Sequence, residues 1–309
     1  MIPARLNSGD EIRVIAPSRS LSIIWPVMYD GAVEYWKERG HHVTFGRRAR
    51  ELEDFMSPSI AARADDIHEA FADPQVKMII SCIGGFSCNS ILPRLDYDLI
   101  ARNPKILCGY SDVTALLHAV HAKTGLVTYH GPHFSTFGLD RDRDYTWRAF
   151  TDCLMHSDPV QLLPSDAAGE YTVLQPGCCE GPIIGGNLCT LNLLQGTPYM
   201  PELRGKVLFL EDDNIMGEYF CYEFARNLAS LLQCGGAQDI AGIVFGRFEE
   251  SCGMDADVMR RIIRDAVPDG IPVIFGADFG HVFPMATFPI GGRVRVEAGE
   301  QAAITLLTH

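Results

Sequence analysis

Between Val76 and Ile83 the chain reads Val-Lys-Met-Ile-Ile-Ser-Cys-Ile and then stops at Gly84-Gly85. An apolar run this short, closed by two glycines, predicts a strand buried on both faces. In water such a strand persists only inside a sheet covered by helices on both sides. The flanking sequence supplies that cover. Ile12 to Ala16 is a β-branched run ending at Pro17-Ser18, and a helical stretch from Pro26 to Arg39 ends at Gly40. Val43 to Phe45 reads as a second strand, and Ser59 to Phe71 as a helix stopped by Asp73-Pro74. Another helix is predicted up to about Leu99, then a strand over Lys105 to Gly109 and a helix over Asp112 to Lys123. Strand and helix in such regular alternation specify the α/β class, with a Rossmann-like, mainly parallel sheet in an N-terminal domain.

The alternation breaks near residue 140. Arg141-Asp142-Arg143-Asp144 is a charge cluster, and Pro159, Pro164, Ser165, Asp166 and Gly169 form a polar connector. With 309 residues the chain has room for two domains. The expected division is 1–155, a linker at about 155–175, and 175–309 as a smaller C-terminal α/β domain rich in β-structure. There Lys206 to Leu210, Ile240 to Phe245 and Pro272 to Gly276 read as strands, with helical stretches near 217–233 and 254–267. Arg293-Val294-Arg295-Val296 and Ala303-Ile304-Thr305-Leu306 flank a turn at Ala298-Gly299-Glu300, a terminal β-hairpin.

A formal net charge of −13 disfavours nucleic acid and anionic membrane surfaces as partners. The N-terminus has neither a basic segment nor an apolar core, and no apolar stretch approaches the ~20 residues that span a bilayer, so a soluble, cytoplasmic protein is expected. The ten cysteines are irregularly spaced, with no C-x-x-C pair, and read as reduced core residues. His118 and His121 share a helix, and His130 and His133 flank Gly131-Pro132, but nothing completes either pair at a zinc spacing. No metal and no cofactor is expected.

Cys108-Gly109-Tyr110-Ser111-Asp112 carries the chemistry. Ser111 falls at the junction of a buried strand and a helix. Such a junction projects a hydroxyl from the sheet edge next to backbone N–H groups and the positive end of a helix, as acyl transfer requires. A serine before aspartate at a helix start is equally an N-cap, and Val113 stands where a nucleophile elbow has its second glycine. Glu211 and His281, taken singly, suit a strand-end carboxylate and a loop histidine.

The wider set is ordered along nearly the whole chain. It comprises Ile83-Gly84-Gly85-Phe86-Ser87-Cys88-Asn89-Ser90, Leu92 to Tyr97, Gly109-Tyr110-Ser111-Asp112, His130-Gly131-Pro132 and Gly185-Gly186-Asn187-Leu188. It continues with Leu208 to Asp212, Gly280-His281, Pro284-Met285 and Pro289-Ile290-Gly291. The chain thereby resembles the LD-carboxypeptidase family of serine peptidases, which includes the microcin C immunity peptidases. The resemblance implies a triad of Ser111 as nucleophile, His281 as base and Glu211 as orienting carboxylate, drawn from both domains. It also implies an oxyanion hole from the N–H groups of Gly85 and Asp112, with Gly85 free to take a positive φ. Asn187 is implied as a substrate contact, and a homodimer as the assembly.

Two substrates compete. LD-carboxypeptidases release the terminal D-alanine of murein tetrapeptides, whereas the immunity branch cleaves the amide joining a peptidyl or aminoacyl part to a nucleotide-like part. His130-Gly131-Pro132 and the close spacing of Ser111 and Glu211 favour the first; the segment from Ser87 to Ser90 favours the second. Ile215 stands where the immunity branch tends to carry a lysine. Arg143, Arg226 and Arg247 remain open as partners for a substrate carboxylate. From other classes, an inactive binding module requires a dead triad, and an amidotransferase requires a cysteine at position 111, the nearest being Cys108 within the strand.

Overall fold

The computed structural model describes residues 1–139, 141–264 and 266–309. The first half runs β1 (Glu11–Ile15), α1 (Pro26–Glu38), β2 (His42–Phe45), α2 (Ile60–Ala72), β3 (Val76–Ser81), α3 (Tyr97–Arg102), β4 (Ile106–Gly109), α4 (Thr114–Thr124), β5 (Thr128–His130) and α5 (Arg143–Met155). The second runs β6 (Val160–Gln161), β7 (Thr172–Gln175), β8 (Gly177–Asn187), α6 (Leu188–Asn192), β9 (Val207–Glu211), α7 (Phe220–Leu232), β10 (Gly242–Gly246) and α8 (Ala256–Ile263). It ends with β11 (Val273–Ala277), β12 (Phe288–Ile290), β13 (Arg293–Ala298) and β14 (Ala302–Thr308).

Among the described residues the strands form two sheets. One has six strands in the order β12-β5-β4-β3-β1-β2, parallel except for β12. The other has eight in the order β6-β14-β13-β8-β9-β10-β11-β7, with a parallel centre from β8 to β11 and antiparallel flanks. The α/β reading holds, and β3 sits mid-sheet with Met78, Ile79 and Ile80 fully buried.

α4 lies where the two sheets meet. Every residue from Thr114 to Val120 is buried, because the helix packs on β4 and β5 on one side and on β8 and β12 on the other. His118 Nε2 lies 2.5 Å from Gly185 O, and Asn187 N–H donates to Thr114 Oγ1 at 3.1 Å, so polar contacts also lock α4 to β8.

Several elements depart from expectation. The helix predicted up to Leu99 is a 3₁₀ stretch over Cys88–Arg94 followed by α3, because Pro93 has no N–H to continue the ladder and Asp96 accepts from Leu99 N–H to start a new helix. The helix predicted from Asp112 opens with a 3₁₀ turn, Ser111–Val113. The stretch 254–267 holds α8 over Ala256–Ile263; Asp265 lies outside the described residues. β8 escapes sequence reading because it contains Gly177, Gly181, Pro182, Gly185 and Gly186, all poor strand formers. Its pairing with both β13 and β9 overrides propensity, and a Cβ at Gly185 would collide with Phe209 O.

The chain also recrosses between the sheets. After β11 it returns to the first sheet, where Phe288, Pro289 and Ile290 of β12 pair with His130, Tyr129 and Thr128 of β5. It then goes back to form the terminal hairpin, in which Val294 and Val296 face inward while Arg293, Arg295 and Glu297 face solvent.

Candidate active site

The carboxyl ends of β1, β3 and β4 converge on one edge of the first sheet, where open α/β sheets bind ligands. Ser111 follows β4 directly. Its φ is +59°, the left-handed region, which costs a non-glycine residue about 1–2 kcal/mol. The strain turns the hydroxyl out of the strand path. Ser111 is not the helix cap: Tyr110 holds that position, and Ser111 Oγ lies 3.0 Å from His281 Nε2. His281 Nδ1 in turn lies 2.7 Å from Glu211 Oε2.

Glu211 is the last residue of β9 and is fully buried, while His281 sits in the loop after β11 and is 19% exposed. Gly280 makes that loop possible. Its φ is +117°, and a Cβ there would stand 2.9 Å from Arg247 O and 3.1 Å from Glu211 Cβ. The Tyr110 ring lies 5.1 Å from the His281 ring and 4.2 Å from that of His133, closing the pocket behind the imidazole.

Burial pushes the Glu211 carboxyl up, but the charge and hydrogen bond of His281, with His130 facing its other oxygen, outweigh burial and hold it down at about 2. Burial pushes His281 down, and the Glu211 charge and hydrogen bond, with Asp213 and Asp212 nearby, raise it to about 9. The two groups therefore form a buried ion pair at neutral pH. Asp212, next in sequence, is pushed up to about 8 by burial and by the adjacent Glu211 and Asp213 charges.

Gly84 and Gly85 form the wall opposite Ser111. A Cβ on Gly84 would stand 3.0 Å from Ser111 Oγ, and one on Gly85 would stand 2.3 Å from Ser18 Oγ. Gly85 does not adopt the expected positive φ; Ser111 does. The glycines are needed for close approach instead. The buried Asp112 carboxylate accepts from Ser18 Oγ at 2.5 Å and from Cys88 N–H at 2.9 Å, so it ties the loops after β1 and β3 to the serine turn. Its own N–H lies in the first turn of a helix, where such groups lack intrahelical partners.

A cavity of about 170 Å³ opens beside Ser111, between Gly85, Phe86 and Asp112 on one side and Asn187, Asp212 and Asp213 on the other. Leu193, Ile215, Met216, Phe220 and Phe224 give it an apolar wall. Asn187 reaches this wall, but its amide is engaged: Oδ1 accepts from Thr190 N–H and Nδ2 donates to Asp212 Oδ1. No lysine or arginine is among the described residues lining the cavity. Arg226 pairs with Glu223 at its edge, Arg247 pairs with Asp278, and Arg143 lies over the Tyr35 ring in a separate cleft.

The four histidines weighed as metal pairs have other partners. His118 meets Gly185 O, His121 meets Leu126 O, and His133 meets Ser81 Oγ. His130, at the end of β5, stacks on Phe288 with 4.5 Å between ring centroids and points Nε2 at Glu211 Oε1, 3.6 Å away. Sequence reasoning missed this placement; the visible signal was a histidine at a strand end before Gly131-Pro132.

A hydroxyl, an imidazole and a buried carboxylate in one hydrogen-bonded line, on strand ends of a two-sheet α/β fold, define a serine hydrolase. The chain belongs to the LD-carboxypeptidase family of serine peptidases: residues 12–131 match the LD-carboxypeptidase N-terminal domain and residues 180–296 the C-terminal domain. It is 42% identical to the protein YocD of Bacillus subtilis (strain 168), covering 96% of each chain. It is 32% identical to a probable murein peptide carboxypeptidase of the same organism, over 98% of this chain and 93% of that one. It is also 32% identical to the microcin C7 self-immunity protein MccF of Escherichia coli, over 96% and 93%. Among solved structures, an MccF-like protein from Bacillus anthracis str. Ames superposes with a TM-score of 0.96 at 44% identity over 100% of both chains. Among the described residues no helix is long and apolar enough to cross a membrane.

Proposed function

We propose that this serine peptidase is an LD-carboxypeptidase that hydrolyses the amide bond before the C-terminal D-alanine of murein tetrapeptides, with Ser111, His281 and Glu211 as its triad. The observation that carries the reading is the line of contacts from Ser111 Oγ to His281 Nε2 at 3.0 Å and from His281 Nδ1 to Glu211 Oε2 at 2.7 Å. Neutral His281 takes the Ser111 proton as the oxygen attacks the scissile carbonyl. The N–H groups of Gly85 and Asp112 receive the developing oxyanion. His281 then returns the proton to the leaving amine, freeing D-alanine and leaving an acyl ester on Ser111. Water, deprotonated by His281, cleaves that ester. Glu211 fixes the imidazole orientation and stabilises the imidazolium. The same reading places a homodimer in the cytoplasm, where murein peptides are recycled.

Purified protein incubated with a tetrapeptide ending in D-alanine releases free D-alanine, read by mass spectrometry, and Ser111→Ala releases none. A second reading, an immunity-type peptidase acting on aminoacyl- or peptidyl-nucleotide amides, is favoured by the full-length likeness to an MccF-like protein. Failure to release D-alanine, together with cleavage of an aminoacyl sulfamoyl adenosine, moves the assignment to that branch. An inactive binding module predicts that Ser111 fails to react with a fluorophosphonate.

A further inference from the structure

The far side of Glu211 is incomplete. Its Oε2 meets His281, but its Oε1 is fully buried and has no hydrogen-bond partner. Facing it at 3.6 Å is His130 Nε2, on a side chain that is itself fully buried and lacks a partner at both ring nitrogens. An unsatisfied buried acceptor and an unsatisfied buried donor each carry a desolvation cost, and here they point at one another. N–H···O bonds run about 2.7–3.2 Å, so a contraction of a few tenths of an ångström joins them.

The imidazole has little freedom to point elsewhere. Phe288 stacks on it at an interplanar angle of 11°, and Phe288 is the residue paired with His130 across β12 and β5. On another side Gly186 of β8 approaches so closely that a Cβ there would stand 3.1 Å from His130 Cδ2. Strands from both sheets thus aim His130 at the carboxylate.

We propose that His130 is a positioning residue: its Nε2–H closes onto Glu211 Oε1 and holds the carboxylate so that Oε2 stays aimed at His281 Nδ1. The inference rests on the triad reading above and extends it to a fourth side chain. Without this donor the carboxylate is free to rotate, and the imidazole loses its fixed orientation. His130 does not line the cavity beside Ser111, so substrate binding is expected to be untouched.

The test compares two variants of the full chain. His130→Leu removes the donor, and His130→Gln keeps an N–H near the position of Nε2. A hydrogen bond to a charged group contributes enough to change rates by about tenfold to a hundredfold. His130→Leu lowers kcat by that factor with KM nearly unchanged, and His130→Gln recovers most of it. The downfield proton resonance of His281 Nδ1–H is lost in His130→Leu and present in His130→Gln. Equal loss in both variants, or a His130→Leu enzyme with kcat within about twofold of wild type, overturns the proposal. Full activity in Glu211→Gln would instead sink the triad reading itself, which separates the two failures.

Discussion

At the scale of single residues, the charge on Glu211 governs the site. It raises His281 to about 9, and in the proposed mechanism that imidazole must shed its proton before it can accept one from Ser111. Hydrolysis by the free enzyme therefore climbs with pH, and kcat/KM against pH has its midpoint near 9. Stability runs the other way. A histidine raised by folding stabilises the fold fully below its ordinary value of 6.5, and that contribution is lost as pH rises through about 9. The enzyme thus gains activity where the ion pair loses stability. Glu211→Gln removes the charge, moves the midpoint to lower pH, and cuts the limiting rate by about 10⁴-fold, the scale on which triad enzymes suffer loss of an orienting carboxylate. A pH–rate profile with an unmoved midpoint in Glu211→Gln contradicts this account.

At the scale of elements, the strained turn between β4 and α4 persists because its flanks are over-determined. α4 is buried from Thr114 to Val120, and Asp112 ties three loops together. The strain at Ser111 is released by glycine and not by alanine, since alanine keeps its Cβ at positive φ. Neither Ser111→Gly nor Ser111→Ala hydrolyses substrate, yet Ser111→Gly is the more stable by about 1 kcal/mol in urea unfolding. Equal stabilities would show that the turn stores no strain. These elements were unequally legible in the sequence. β3, β4 and β9 are short apolar runs that only a buried sheet accommodates. β8 is glycine-rich and β12 three residues long, and both exist through tertiary pairing that no local pattern encodes. The site followed the same division. Ser111 was legible at a strand–helix junction, and Glu211 and His281 only through the family resemblance, whereas the orientation of His130 depends on Phe288, more than 150 positions away in the chain, arriving beneath it.

At the scale of the whole molecule, neither sheet holds the proposed triad alone. Ser111 follows a strand of the first, Glu211 ends a strand of the second and His281 lies in the loop after β11, and β12 stitches the second half of the chain back to β5. Residues 1–155 and 175–309 produced separately show no hydrolysis, and the first fragment exposes β5 as an unpaired edge prone to association. Hydrolysis by the isolated first fragment refutes that arrangement. The recrossing at β12 also sets a timetable for biosynthesis. Ser111 is made 170 residues before His281, its proposed base, and β12 follows later still. On the ribosome, where earlier segments fold first, the nascent chain carries an exposed serine with no partner to activate it. On this reading the peptidase stays silent until His281 and β12 have been made, and a product cut short before them is an inert polypeptide, not a stray protease.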